Sequence, residues 1–279
     1  MKTILFPTDF SDASGAAFAY ALDFADRFDA ELVILHVYDL PIVETPPMPE
    51  TAAEIYDIVE LNQFENFKDQ LPQMHEIAER RNMGHVKMRN ILLYGDLVYN
   101  INKVCSEENC DLIIMGTKGA TGLKETFIGS TASSMMSNAK VPVLAIPEEA
   151  EYQKIKNIGF ATQYRDKDND AMTVTVSIAE RLGAEIHCIY VDNQDGTDNP
   201  EERVTEWKLH FRANPVTFHT VQDTDLEQAL HDFTEDNNIQ MLVMRRHKRG
   251  FFEGLFHSSL TKKLAYHTKV PLMVFNDNQ

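Results

Sequence analysis

The sequence has few cysteines that could form disulfides, and it lacks long apolar segments of the kind that span a membrane. Three cysteines occur among 279 residues, Cys105, Cys110 and Cys188, and their number and spacing fit neither a disulfide framework nor a zinc motif. No apolar run approaches the roughly 18 residues of a membrane span, and Asp9 interrupts the short apolar N-terminus before a signal-peptide core can form. These absences predict a soluble, cytoplasmic protein with reduced thiols and no membrane partner.

Basic residues are also scarce. Lysine and arginine number 26 against 43 acidic residues, which gives a formal net charge of −17. A chain this acidic repels nucleic-acid phosphates at long range, so we expect no nucleic-acid partner. An anionic ligand therefore has to be held by short-range donors. The histidines show no metal-ligand spacing such as His-Glu-x-x-His.

The most informative feature of the sequence is an internal repeat. Residues 2–37 align without gaps on residues 156–191, and residues 115–142 align on residues 244–271. Because the offset falls from 154 to 129 residues, the first copy carries 25 additional residues between these blocks. A duplicated unit constrains the fold more firmly than local propensity does.

The additional residues and the junction between the copies both have turn-forming composition. Prolines 41, 46, 47 and 49 predict an extended loop that precedes a longer helix in the first copy. The polar segment 147–151 separates the two copies. It predicts one domain over residues 1–148 and a second over residues 152–279.

Short apolar runs alternate with helical patterns in each copy. In the first copy the runs are residues 3–6, 32–35, 87–93, 112–115 and 141–146. Their composition is typical of buried parallel strands. Between the first two runs the apolar residues follow helical spacing, which predicts a βαβ crossover and an α/β fold class.

One segment of the first copy has the features of a phosphate site. Gly116-Thr117-Lys118-Gly119 follows the fourth predicted strand, and after nine intervening residues Gly129-Ser130-Thr131 opens a predicted helix. Glycine lets backbone amides approach phosphate oxygens, and a helix N-terminus offers amides with partial positive charge. The hydroxyls of Ser130 and Thr131 are further donors. The spacing differs from the Walker and dinucleotide-binding motifs.

With its flanking strands, this glycine pattern resembles that of the ATP-binding members of the universal stress protein family, and the resemblance covers nearly the whole chain twice. It implies two tandem open parallel five-stranded sheets, Rossmann-like and of the adenine nucleotide alpha hydrolase type, with strand order 3-2-1-4-5 and flanking helices. The nucleotide, ATP with Mg²⁺, would lie at the carboxyl ends of the central strands. The site residues implied in this chain are Pro7, Thr8, Asp9 and Val37 around adenine, and Met115, Gly116, Gly119, Ala120, Gly129, Ser130 and Thr131 around ribose and phosphates.

Two interpretations of Asp9 stay open. An ionised carboxylate only accepts hydrogen bonds, and the exocyclic amine of adenine donates them, so Asp9 suits adenine. Alternatively, Asp9, Ser11 or Asp12 caps a helix that begins near Ala13. The two roles are compatible if Ser11 is the cap and Asp9 accepts from adenine.

The second copy lacks the decisive residues of the first. Its replacements are Arg245 for Gly116, Lys248 for Gly119, Ser258 for Gly129 and Gln163 for Asp9, whereas Ser259 matches Ser130. Long side chains at glycine positions occupy the space that phosphates need, so we expect one ATP per chain and a structural or regulatory second copy. The basic run 245–249 is either a solvated loop that offsets acidic charge or a different anion site.

Three classes of function are compatible with these residues. The glycines and the resemblance favour an ATP-binding regulatory protein of the stress response. A slow ATPase is the enzyme alternative, although no nucleophile with a paired base stands out, and a scaffold without nucleotide is the third. The apolar last strands, 141–146 and 270–275, predict edges that pair within the chain as a pseudo-dimer, with any further self-association through another surface.

Overall fold

A computed structural model describes residues 1–39, 49–117, 129–192, 200–246 and 270–276. The chain separates into two compact units, Met1–Met115 and Gly116–Gln279. The boundary between the units falls at the end of the fourth strand of the first copy. The last segment of the first copy therefore belongs to the same unit as the second copy.

The first unit is a parallel sheet with its helices packed on it. Its elements are β1 (Thr3–Pro7), α1 (Asp12–Phe28), β2 (Glu31–Tyr38), α2 (Pro49–Arg80), β3 (Met88–Tyr94), α3 (Leu97–Glu107) and β4 (Leu112–Gly116). The strands pair in the order β3-β2-β1-β4, and every pair is parallel. Phe18, Ala21 and Leu22 of α1 are at most 2% exposed, which confirms the apolar face that the spacing predicts.

The second unit repeats this order. Its elements are α4 (Ser130–Asn138), β5 (Val143–Ile146), β6 (Asn157–Ala161), α5 (Asp168–Leu182), β7 (Glu185–Asp192), α6 (Pro200–His210), β8 (Val216–Gln222), α7 (Leu226–Asp236), β9 (Met241–Arg245) and β10 (Leu272–Phe275). The five strands of the second copy run β8-β7-β6-β9-β10, all parallel. This is the predicted order 3-2-1-4-5.

The last strand of the first copy adds to the sheet of the second. β5 pairs antiparallel with β10, with Leu144 opposite Met273 and Val143 opposite Val274. All residues of both strands are buried. Two apolar edges thus cover each other within one chain, as their sequences predict.

The two copies differ most in their second helices. α2 has 32 residues and begins at Pro49, whereas α6 has 11. The additional residues of the first copy therefore lie largely in this longer helix, while the predicted loop with prolines 41, 46 and 47 lies outside the described residues. Despite the length of α2, no helix in the described part of the chain is both long and apolar enough to cross a membrane.

The strand pairing can be tested by crosslinking. We expect Val143→Cys with Val274→Cys to form a disulfide within one chain, because these residues are in register and opposed strand residues have Cα atoms about 4.5–5.5 Å apart. Mild oxidation followed by non-reducing electrophoresis and intact mass measures the bridge. The control, Val143→Cys with Leu272→Cys, is two residues out of register and near the limit of about 7 Å for bridging. Bridges that form only between chains would contradict the pairing.

Candidate functional site

Three parallel strands of the first unit end at one edge of its sheet. β1 pairs with both β2 and β4, so their carboxyl ends meet there. Pro7 closes β1 opposite Leu35, and Val37 continues β2 two residues beyond Leu35. Met115, the last residue of this unit, is 5% exposed near the end of β4. The structure therefore brings the predicted Pro7, Val37 and Met115 to the same edge.

Thr8 is a structural centre of the loop between β1 and α1. Its amide donates to the Leu35 carbonyl at 2.9 Å, and its hydroxyl accepts from the Phe10 amide at 3.0 Å and lies 3.2 Å from the Ser14 hydroxyl. Phe10 has a φ of 59°, in the left-handed region that residues with a Cβ seldom adopt. The buried Thr8 hydroxyl thus holds a tight turn at the end of β1.

Asp9 lies on the exposed side of this turn. Its Oδ1 accepts from the Ser11 amide at 3.0 Å and from the Ser11 hydroxyl at 2.7 Å. Ser11 occupies the N-cap position of α1 but makes no side-chain capping bond. Of the three capping candidates, Ser11 therefore holds the N-cap position, but its hydroxyl donates to Asp9 and not to the helix. These bonds fix the carboxylate at the sheet edge, where its side chain meets solvent.

Two backbone hydrogen bonds in the second unit hold the residues that flank the predicted phosphate loop. The Thr117 amide donates to the Ile146 carbonyl at 2.9 Å, and the Thr117 carbonyl accepts from the Gly129 amide at 2.6 Å. Between them lie residues 118–128, which include the predicted Gly119 and Ala120 and are outside the described residues. The two ends of the loop, Thr117 and Gly129, are thus held together.

Gly129 is the N-cap residue of α4, with φ −56° and ψ 150°. Any residue adopts this conformation, so the backbone does not require glycine there. Ser130 is exposed and Thr131 is half-buried in the first turn, where backbone amides have no partner within the helix.

An aromatic cluster beside the β1 turn was not predicted from the sequence. The ring of Phe10 lies 5.0 Å from His36 and 5.8 Å from Phe67, and His36 Nδ1 donates to the Thr8 carbonyl at 2.8 Å. The repeat carries the missing signal, because Phe10 and His36 align with two further aromatic residues, Tyr164 and Tyr190.

The second copy builds the same turn and cluster from larger groups. Tyr164 has a φ of 54°, and its amide donates to the Thr162 hydroxyl at 2.8 Å. Its ring lies 5.6 Å from Tyr190 and 5.0 Å from Trp207. Burial raises the pKa of the Tyr164 phenol well above its ordinary value, so the group stays protonated. Tyr164 is buried, with 3% of its surface exposed, whereas Phe10 is half-buried.

An internal carboxylate occupies the turn of the second copy. Asp168 is 1% exposed, and its Oδ2 accepts from the Thr162 hydroxyl at 2.8 Å and from the amides of Gln163 and Arg165 at 3.2 Å. The aligned residue in the first copy is Ser14, which is neutral. The Arg165 amide is thus bonded to a buried carboxylate, whereas the aligned Ser11 amide of the first copy donates to the exposed Asp9.

Arg245 fills the position that Gly116 holds in the first copy. It is 2% exposed, its Nη1 donates to the Lys167 carbonyl at 3.1 Å, and its Nη2 donates to the Asn276 carbonyl at 3.2 Å. The interpretation of this residue as part of a solvated loop is therefore wrong. Its guanidinium links the start of α5 to the residue after β10, while the remainder of the basic run, 247–249, lies outside the described residues.

Comparison with known proteins gives one consistent family. The model of the universal stress protein family matches residues 1–147 and again residues 154–276. A universal stress protein of Methanocaldococcus jannaschii is 33% identical over 146 residues, which are 52% of this chain and 81% of that protein.

A solved structure that matches nearly the whole chain has the same fold. The crystal structure of a universal stress protein from Archaeoglobus fulgidus covers 99% of this chain and 97% of its own, with a TM-score of 0.73 at 22% identity. Another universal stress protein, solved in complex with cAMP, covers 52% of this chain and 96% of its own, with a TM-score of 0.36 at 19% identity.

The buried guanidinium of the second copy can be tested by its effect on stability. We expect Arg245→Met to lower the free energy of unfolding by about 2 to 4 kcal/mol, because it leaves buried carbonyls without their charged donor. Urea unfolding followed by circular dichroism measures the change. The exposed Arg212 gives the matched control, since Arg212→Met is expected to change stability by at most about 0.5 kcal/mol. Equal effects of the two substitutions would contradict a structural role for Arg245.

Proposed function

Because the chain belongs to the universal stress protein family, we propose that it is a cytoplasmic, ATP-binding regulatory protein that holds its nucleotide in the first copy alone. The observation that carries this proposal is the contrast at one aligned position. Gly116 ends β4 without a side chain, whereas Arg245 ends β9 with a buried guanidinium that is bonded to two carbonyls. The second copy has replaced a ligand with its own groups.

Asp9 is the residue proposed to recognise adenine. Its carboxylate is exposed at the carboxyl end of β1, beside Pro7 and Thr8, and Val37 lies at the end of the neighbouring strand. An ionised carboxylate accepts from the adenine amine and repels the carbonyl that guanine presents instead. The Phe10 and His36 rings beside this turn offer apolar and aromatic surface to a base.

The proposed phosphate contacts are backbone amides and hydroxyls. Since the Gly129 amide is bonded to Thr117, we assign the phosphates to the first-turn amides and side chains of Ser130 and Thr131. Gly116 and Gly129 would leave room for the phosphates, and the other two residues assigned to this loop, Gly119 and Ala120, lie outside the described residues. Short-range donors of this kind suit a chain of net charge −17. Mg²⁺ would accompany ATP, because magnesium at such sites keeps mainly phosphate oxygens and waters as ligands.

The turn after the first strand also differs between the copies. In the second copy the buried Asp168 carboxylate accepts the amides of Gln163 and Arg165, in the turn that corresponds to the proposed adenine contact of the first copy. In the first copy the neutral Ser14 stands at this position. Nucleotide is therefore proposed in the first copy only, and the second copy has a structural or regulatory part.

Calorimetric titration of the full chain with MgATP tests this proposal. We expect one site per chain with a dissociation constant in the micromolar range. Asp9→Ala should weaken binding by about tenfold or more, the loss of one charge-assisted hydrogen bond, whereas the aligned Gln163→Ala should leave it unchanged.

Two further titrations sharpen the result. Gly129→Leu should fold, since its backbone conformation suits any residue, and should abolish binding. Titration with cAMP and GTP establishes whether ATP is the preferred ligand. Two equivalent sites per chain, or equal effects of Asp9→Ala and Gln163→Ala, would refute the assignment.

A further inference from the structure

Side chains of the second copy contact the C-terminal end of helix α4. This helix has no basic residue in its own last turn. Arg246 Nη1 donates to the Ser137 carbonyl at 2.7 Å, and Asn276 Nδ2 donates to the Ala139 carbonyl at 3.0 Å. A cation and an amide from the second copy thus meet carbonyls at the end of a first-copy helix, where a helix leaves its last carbonyls unpaired.

These two side chains are themselves firmly held. The Arg246 amide donates to the Phe275 carbonyl at 2.8 Å, which fixes it beside β10. Asn276 is 2% exposed, and its carbonyl accepts from Arg245. We call Arg245, Arg246 and Asn276 the α4 brace. Its members connect the Arg245 guanidinium of the second copy to α4 through hydrogen bonds and the backbone.

A short helix depends on such anchoring. α4 has nine residues, and isolated helices shorter than about 12 residues are marginal in water. A positive charge at the helix C-terminus also offsets the partial negative charge of the unpaired carbonyls. A helix of nine residues is only about 14 Å long, so a displacement of one end of α4 also displaces the other end.

The other end of α4 is the proposed phosphate site. We propose that Arg246 is a positioning residue for the nucleotide, and that the second copy sets the affinity of the first through α4. This inference rests on the proposed function, because it concerns the same site. The aligned residues of the first copy are Thr117 and Pro147, which carry no cation and, for proline, no side-chain donor.

The coupling also acts in the reverse direction. Any interaction that strengthens nucleotide binding through α4 is itself strengthened by the nucleotide, because a coupling free energy between two sites is reciprocal. Bound nucleotide therefore tightens the contact between α4 and the brace. Nucleotide binding in the first copy therefore changes the contacts of the second copy, which holds no nucleotide of its own.

Calorimetry with MgATP on the full chain tests the inference. Arg246→Met should weaken binding by roughly threefold to tenfold, and Arg246→Lys, which keeps the cation, should restore most of the affinity. Arg246→Gln keeps a donor without the charge and should fall between them, so the comparison does not depend on one variant. The matched control is Arg203→Met, since Arg203 is also half-buried and its Nη1 donates to the Tyr164 carbonyl at 3.1 Å, away from α4.

The expected pattern separates positioning from general stability. Arg203→Met should lower the melting temperature but leave ATP affinity at the wild-type value, whereas Arg246→Met should lower both. If Arg246→Met binds ATP as tightly as wild type, or if Arg203→Met weakens binding equally, the inference is overturned while the proposed function stands. If the wild type itself binds no ATP, the proposed function fails, and the inference fails with it.

Discussion

Two four-residue strands, β5 and β10, bury every side chain in an antiparallel pair that joins the end of one copy to the end of the other. An apolar edge of this kind, left open, offers unpaired amides and carbonyls to other chains. Its closure within the chain has a further consequence, because α4 immediately precedes β5. The helix proposed to bind phosphates is thereby carried into the unit that contains the second copy.

The duplicated copies share a local framework but differ in what occupies it. Thr8 and Thr162 hold the same turn, followed in both copies by an aromatic residue with positive φ. In the second copy the framework contains its own anion, Asp168, and its own cation, Arg245. The second copy thus contains buried groups of both charges, each held by hydrogen bonds, as buried charges require.

The strands and their apolar edges could be predicted from hydrophobic periodicity and from the repeat, whereas the strand order followed from the family resemblance that the glycine pattern carries. The burial of Arg245 could not be predicted in this way. A run of basic residues is usually solvated. The two carbonyls that accept from Arg245 lie 78 and 31 residues away in the sequence. The hydroxyl partner of Ser11 could not be predicted for a different reason, since a nearby carboxylate competes for this hydroxyl with the helix. The partner of Phe10 and His36 in the aromatic cluster, Phe67, lies in the longer helix of the first copy, outside the aligned blocks.

Hydrogen exchange of the full chain with and without MgATP tests the division between the copies most directly. The account predicts slower exchange on adding ATP at the first turn of α4 and at the Arg246 amide, which is bonded to Phe275. It predicts no change over residues 162–168, the turn of the second copy that Asp168 already occupies. Slower exchange at that turn, with none at α4, would contradict the account.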